Sequence, residues 1–218
     1  MLSEKSNQYY EQLFLRYPAL ETCREDILSS YQIIIKAYEN DRKLLIAGNG
    51  GSAADASHIT GELMKSFKLK RKIDQDIVNA LVELNPMQGK EIADKLEKGL
   101  PTIDLNSQQA LNSAYLNDVD GKLCFAQAVM GYGVKGDVFL GITTSGNSEN
   151  VVYASYVAKA KGMKVISLTG RDGGKIKEVS DASIIVPIQE TYQIQEYHLP
   201  IYHILCLMIE EYFFGKAQ

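Results

Sequence analysis

Apolar residues recur along this chain with two different patterns. In "CREDILSSYQIIIKAYENDR", Ile27, Tyr31, Ile34, Ile35 and Tyr38 fall at helical spacing, and the first forty residues read as helical. Short unbroken apolar runs follow: residues 43–48 ("KLLIAG"), 100–105, 137–142, then "MKVISLTG" and "ASIIVPI". Each predicts a strand. Between them lie predicted helices: 52–66 with Ser52 as N-cap, 107–115, one ending near 131 after a break at "LNDVDGK", one ending at 162, and a long last helix over 194–214. Residues 71–99 stand apart. There Ile73, Ile77, Val78, Leu81 and Val82 form one apolar face, and Met87, Ile92 and Leu96 another, separated by Asn85 and Pro86. This spacing predicts a helical hairpin.

Strands this apolar, with little polar alternation, are covered on both faces. Alternating with helices, they predict an α/β fold: a three-layer α-β-α sandwich around a doubly wound, parallel, five-stranded sheet. A length of 218 residues suits one domain. The chain is therefore read as a single domain over 1–218, with N-terminal helices in 1–40 and a helical hairpin inserted at about 73–99.

Composition narrows the class. Hydrophobic residues make up 45% and charged residues 23%, as in ordinary globular proteins. The net charge of −4 argues against direct nucleic-acid binding by broad phosphate neutralisation. The basic run "KSFKLKRK" (65–72) is either a solvated face or a small contribution to holding an anionic substrate. No apolar run is long enough to span a membrane, and the N-terminus lacks the apolar centre of a signal peptide. The three cysteines are far apart and lie in apolar helical patterns, so they read as buried free thiols of a cytoplasmic protein.

Candidate chemistry gathers at strand ends, where doubly wound folds bind ligands. "GNGGS" (48–52) brings Asn49, Gly50, Gly51 and Ser52 to the start of a helix, where backbone N–H groups can face a ligand, or serve only a tight turn. "TTSGNS" (143–148) offers the hydroxyls of Thr143, Thr144, Ser145 and Ser148 at another helix start. This suits a phosphate, with a capping turn as the alternative. His58 and Glu62 are one helical turn apart and share a face. They can hold a divalent metal, form an acid–base pair, or simply bond each other. On the last helix Gln195 and His203 are about 12 Å apart along the axis, so they share a ligand only if it lies beside the helix between them.

"GNGGSAADASHITGEL", "NDV", "TTSGNSENV", "LTGRDGGKI" and "IQEYHLPIYHIL" together resemble the sugar isomerase (SIS) family, and within it the phosphoheptose isomerases. The resemblance implies the SIS fold and a zinc ion held by His58, Glu62, Gln195 and His203. It also implies substrate contacts from Asn49, Gly50, Gly51, Asn117, Asp118 and the loop Thr143, Thr144, Ser145 and Ser148. Thr143 stands where a serine is more usual and keeps the hydroxyl. The implied reaction converts sedoheptulose 7-phosphate into glycero-manno-heptose 7-phosphate through an enediol, with Glu62 and His203 as base and acid. A cytoplasmic homotetramer with sites between subunits is implied as well, and His198 is expected to be structural. Two rivals remain: an isomerase of another sugar phosphate, and a non-catalytic scaffold like the branch that binds the replication initiator protein. The hairpin departs from the family pattern, which passes quickly from the metal helix to the second strand.

Overall fold

The computed structural model describes residues 2–215. Five parallel strands, β1 (Leu44–Gly48), β2 (Thr102–Asp104), β3 (Val138–Ile142), β4 (Lys164–Thr169) and β5 (Ala182–Ile185), form one sheet in the order β2-β1-β3-β4-β5. The helices are α1 (Glu4–Arg16), α2 (Arg24–Glu39), α3 (Gly51–Met64), α4 (Gln75–Leu84), α5 (Pro86–Lys95), α6 (Gln109–Asp118), α7 (Cys124–Tyr132), α8 (Glu149–Ala160) and α9 (Thr191–Phe214). The expected three-layer architecture is present.

Every residue of β1 and β3 is buried, yet successive side chains enter different cores. Leu44, Ile46, Leu140 and Ile166 pack towards α1, α2, α3 and α9. Leu45, Ala47, Phe139 and Val165 pack towards α7 and α8. A central strand with both faces covered gains from apolar residues at every position, which is why no alternation is visible in the sequence. Cys23, Cys124 and Cys206 are buried and free, as expected. Among the described residues no helix is long and apolar enough to cross a membrane.

Several boundaries differ from the expectation. The N-terminal helical region is two helices, because Pro18 lacks an N–H and disfavours a helical residue before it. Ser52 is not the N-cap of α3. Gly50 takes that place at φ +56, a left-handed conformation that glycine adopts freely. Ser52 is buried as the second residue of the helix, so close to Gly48 that a Cβ on that glycine would lie 2.7 Å from the serine Cβ. Helix α6 runs on to Asp118 and α9 begins at Thr191, with Pro200 in its interior.

The predicted hairpin exists as α4 and α5. They touch backbone to backbone: a Cβ on Gly89 would lie 1.9 Å from the Leu81 carbonyl oxygen. The pair buries little else. No residue of α4 is buried, and Leu84 and Met87 remain 84% and 79% exposed.

The basic run is not uniformly a solvated face. Arg71 is fully buried against Glu210 of α9, with Nη2 2.8 Å from Oε1. Its guanidinium also donates to the carbonyls of Leu63 (2.7 Å) and Glu62 (3.0 Å), closing the C-terminus of α3. Glu210 in turn accepts the N–H groups of Phe67, Lys68 and Leu69 at 2.8, 2.9 and 3.1 Å. A cation at a helix C-terminus also complements the helix dipole.

Candidate active site

Strands β1 and β3 are neighbours, with Gly48 opposite Ile142, and the strand order reverses beside them. The loops leaving their carboxyl ends therefore meet at the position where such sheets bind ligands. Asn106 secures the first loop through Gly48: its Oδ1 accepts the N–H at 3.2 Å and its Nδ2 donates to the carbonyl at 2.6 Å. Asn49 crosses to α8 and exchanges two amide hydrogen bonds of 2.9 Å with Asn150. Asn49, Ser148, Asn150 and Lys122 line one depression of about 350 Å³.

The second loop is rigidly backed. Gly146 sits at φ +69, and a Cβ there would lie 1.9 Å from the Gly173 carbonyl oxygen. Only glycine fits. Thr143 is buried and its hydroxyl lies 2.9 Å from that of Ser148. The Ser145 hydroxyl accepts the Asn147 N–H at 3.2 Å. Ser148 is the N-cap residue of α8 but makes no side-chain capping bond, which leaves the first turn of α8 open to an anion.

The other half of the site lies between α3 and α9. His58 Nε2 is 3.2 Å from Glu62 Oε1. The rings of His58 and His203 have centroids 5.1 Å apart and stand nearly perpendicular. Glu62 Oε2 and His203 Nε2 are both buried without a hydrogen-bond partner, though Lys65 Nζ comes within 3.6 Å of the former. Burial holds the His203 pKa below its usual value, so the ring is neutral near pH 7 and able to pass a proton. Gln195 stands further up α9 against the glycine turn: a Cβ on Gly51 would lie 2.5 Å from Gln195 Nε2. Substituting Gly51→Ala is expected to displace Gln195 and raise KM at least about tenfold, because small misplacements at a site are costly. Steady-state kinetics on the folded variant checks this.

The structure thus gathers His58, Glu62 and His203, and sets Gln195 beside Asn49, Gly50 and Gly51. Asn117 and Asp118 are exposed at the end of α6, where they bond each other at 2.8 Å; they are not joined to this cluster. Residues not singled out by their pattern also take part. Asn106 and Asn150 frame the first loop, and Tyr202 bonds His58 Nδ1 at 3.0 Å. An asparagine in a loop and a tyrosine in an apolar helix carry no signal in one sequence.

His198 is fully buried and its Nε2 donates to the Thr169 carbonyl at 3.2 Å, which ties α9 to β4. Burial pushes its pKa down to about 4. The unfolded chain takes up a proton near pH 6.5, whereas the folded one does so only near pH 4. Stability is therefore fully present above pH 6.5 and falls with the pH down to about 4, by up to about 3 kcal/mol. Denaturant titrations at pH 7.5 and 4.5 are expected to show this loss, and His198→Asn to reduce it.

Similarity to known proteins agrees with the geometry. The model of the SIS domain family matches residues 8–98 and 92–170. A phosphoheptose isomerase of Helicobacter pylori (strain Shi470) is 40% identical over 198 residues, covering 91% of this chain and 90% of that one. A phosphoheptose isomerase of Leptospira biflexa is 37% identical over 209 residues, covering 96% and 95%. The solved structure of a phosphoheptose isomerase from Francisella tularensis superimposes with a TM-score of 0.74 at 30% identity, covering 94% of this chain and 96% of that one. With a hydroxyl-lined anion loop, a carboxylate clustered with two imidazoles and these similarities, the chain belongs to the phosphoheptose isomerases of the SIS-domain family.

Proposed function

We propose that this protein interconverts sedoheptulose 7-phosphate and D-glycero-D-manno-heptose 7-phosphate. The observation that carries this reading is the clustering of the half-buried Glu62 with His58 and His203, in a chain whose β3–α8 loop is built for an anion. The names and identities of the relatives support it.

In this reading the phosphate rests on Thr143, Thr144, Ser145 and Ser148 and the first turn of α8. Asn49, Gly50 and Gly51 border the sugar, and Gln195 orients it. Glu62 takes a proton from C1 of the ketose, exchanges it with solvent, and delivers a proton to C2 of the enediol. His203 holds the proton exchanged with the substrate oxygen. Such acid–base transfer contributes typically ~10²–10⁴ to the rate.

The donor types of the same residues, though not their placement in the single chain, suit zinc. Two nitrogens and a carboxylate are a usual zinc donor set, and the unpartnered Glu62 Oε2 and His203 Nε2 are acceptors awaiting a cation. As placed, no three His, Cys, Asp or Glu side chains among the described residues converge on one metal position. His58, Glu62, Gln195 and His203 would hold the ion. When bound, it would polarise the carbonyl and stabilise negative charge on oxygen. A cytoplasmic homotetramer is the matching assembly. The buried free thiols and the exposed Leu15, Leu84 and Met87 support it.

The test is incubation of the purified protein with sedoheptulose 7-phosphate, beside pentulose and hexulose phosphates, with NMR detection of the aldose. Conversion of the heptulose above the others supports the reading. Conversion of another sugar alone redirects it to that substrate, and conversion of none favours the scaffold.

A further inference from the structure

Asn49, in the turn after β1, and Asn150, in the first turn of α8, face each other head to head. Asn49 Nδ2 donates to Asn150 Oδ1, and Asn150 Nδ2 donates to Asn49 Oδ1, both at 2.9 Å. Among the described residues the Asn49 side chain has no other hydrogen-bond partner. The turn itself gives it little support, because Gly50 and Gly51 follow and Gly50 takes a left-handed φ of +56.

A third contact decides which way the amides lie. Asn150 Oδ1 also accepts the Val151 N–H at 3.0 Å. A backbone N–H only donates, so the Asn150 atom beside it is the oxygen, and the nitrogen takes the other place. Asn49 must then offer its nitrogen to that oxygen and its oxygen to that nitrogen. Turned over, the Asn49 amide would set nitrogen against nitrogen and oxygen against oxygen, and both bonds would be lost. The backbone of α8 thus dictates the orientation of Asn49 through Asn150. Each amide spends one N–H on the other and keeps one. Both asparagines line the depression that Ser148, Glu149 and Lys122 also border. Lys122 Nζ spends one donor on Glu149 Oε2 at 2.7 Å and keeps two. Three side chains with spare N–H donors therefore surround it, which suits an oxygen-rich ligand such as a sugar phosphate.

We propose that Asn150 is a positioning residue of the isomerase: it fixes the Asn49 amide and clamps the glycine turn to the start of α8. The inference rests on the reading in which Asn49, Gly50 and Gly51 border the sugar and the first turn of α8 takes the phosphate. Sugar and phosphate belong to one molecule, so the spacing of the two segments that hold them must match its length. The Asn49–Asn150 pair sets that spacing, because it joins the residue just before the glycines to the residue two places after Ser148. Misplacing one half of such a site costs affinity for the whole substrate more than for either part.

The experiment is a double-mutant cycle over Asn49→Ala and Asn150→Ala, read by steady-state kinetics with sedoheptulose 7-phosphate. Inorganic phosphate serves as a competitive inhibitor that probes the anion loop alone. Asn150→Ala is expected to raise KM about tenfold with kcat little changed, the mark of lost binding common to ground and transition states. Its inhibition constant for phosphate is expected to stay within about twofold of wild type, since the anion loop is intact. In the Asn49→Ala background the further effect of Asn150→Ala is expected to vanish, because residues that act through one another are not additive. Should Asn150→Ala not fold, Asn150→Ser carries the same comparison. A wild-type KM in Asn150→Ala, an equal loss of affinity for phosphate, or a full additional effect in the Asn49→Ala background overturns the inference alone. A folded wild type that converts no heptulose phosphate overturns the functional reading and the inference with it.

Discussion

Glu62→Gln leaves the protein folded and lowers kcat by at least about 10³-fold, within the range expected when a general base is removed. The substitution keeps the size of the side chain and can keep a contact with His58 Nε2, 3.2 Å away. It removes the negative charge and the basicity. Oε2 is the atom that matters: it is buried and has no hydrogen-bond partner, so structure alone does not explain its place. An amide there cannot take a proton from carbon. Steady-state kinetics with circular dichroism as a fold control gives the answer. A variant that retains a tenth of the activity would remove Glu62 from the chemistry.

The second large effect is on stability. Arg71→Met is expected to lower the unfolding free energy by about 3–5 kcal/mol, because it leaves the charge of a buried partner without compensation. Arg71 and Glu210 are both 1% exposed. Glu210 would keep the N–H groups of Phe67, Lys68 and Leu69 but lose its counter-charge. The carbonyls of Glu62 and Leu63 would lose their donor, so the end of α3 that carries Glu62 should loosen. Urea titration measures the loss. A change below about 1 kcal/mol would mean that water or a neighbouring lysine replaces the guanidinium at no cost.

That ion pair shows where the sequence was opaque. "KSFKLKRK" contains five basic side chains with no mark to separate Arg71 from the rest. Its burial is decided by Glu210, far away in the chain, and a contact between distant segments leaves no local period. The sheet was legible for the opposite reason. Buried parallel strands must be apolar at every position, and "KLLIAG" and "GDVFLGI" state this within a few residues. The glycine turn and the hydroxyl loop were legible because their residue types are costly elsewhere. The start of α3 was misread because Ser52 is a good cap by type, while the left-handed Gly50 supplies the turn without a side chain. Asn117 and Asp118 entered by resemblance, and their exposed place on α6 adds no geometric support from the single chain.

The hairpin was legible as two apolar faces, but not what covers them. In the single chain Leu84 and Met87 stay largely exposed. The pair is held at its base by Lys98, which bonds Asp74 at 2.7 Å and whose N–H donates to the Arg71 carbonyl. The hairpin is thus anchored through the residue that closes α3.

The most direct measurement is conversion of sedoheptulose 7-phosphate in D₂O, followed by NMR of the aldose product. Proton transfer through an enediol at Glu62 predicts solvent deuterium at C2 of the product with wild type, and no product with Glu62→Gln. A folded wild type that yields no aldose, or an aldose formed equally well by Glu62→Gln, would contradict the account.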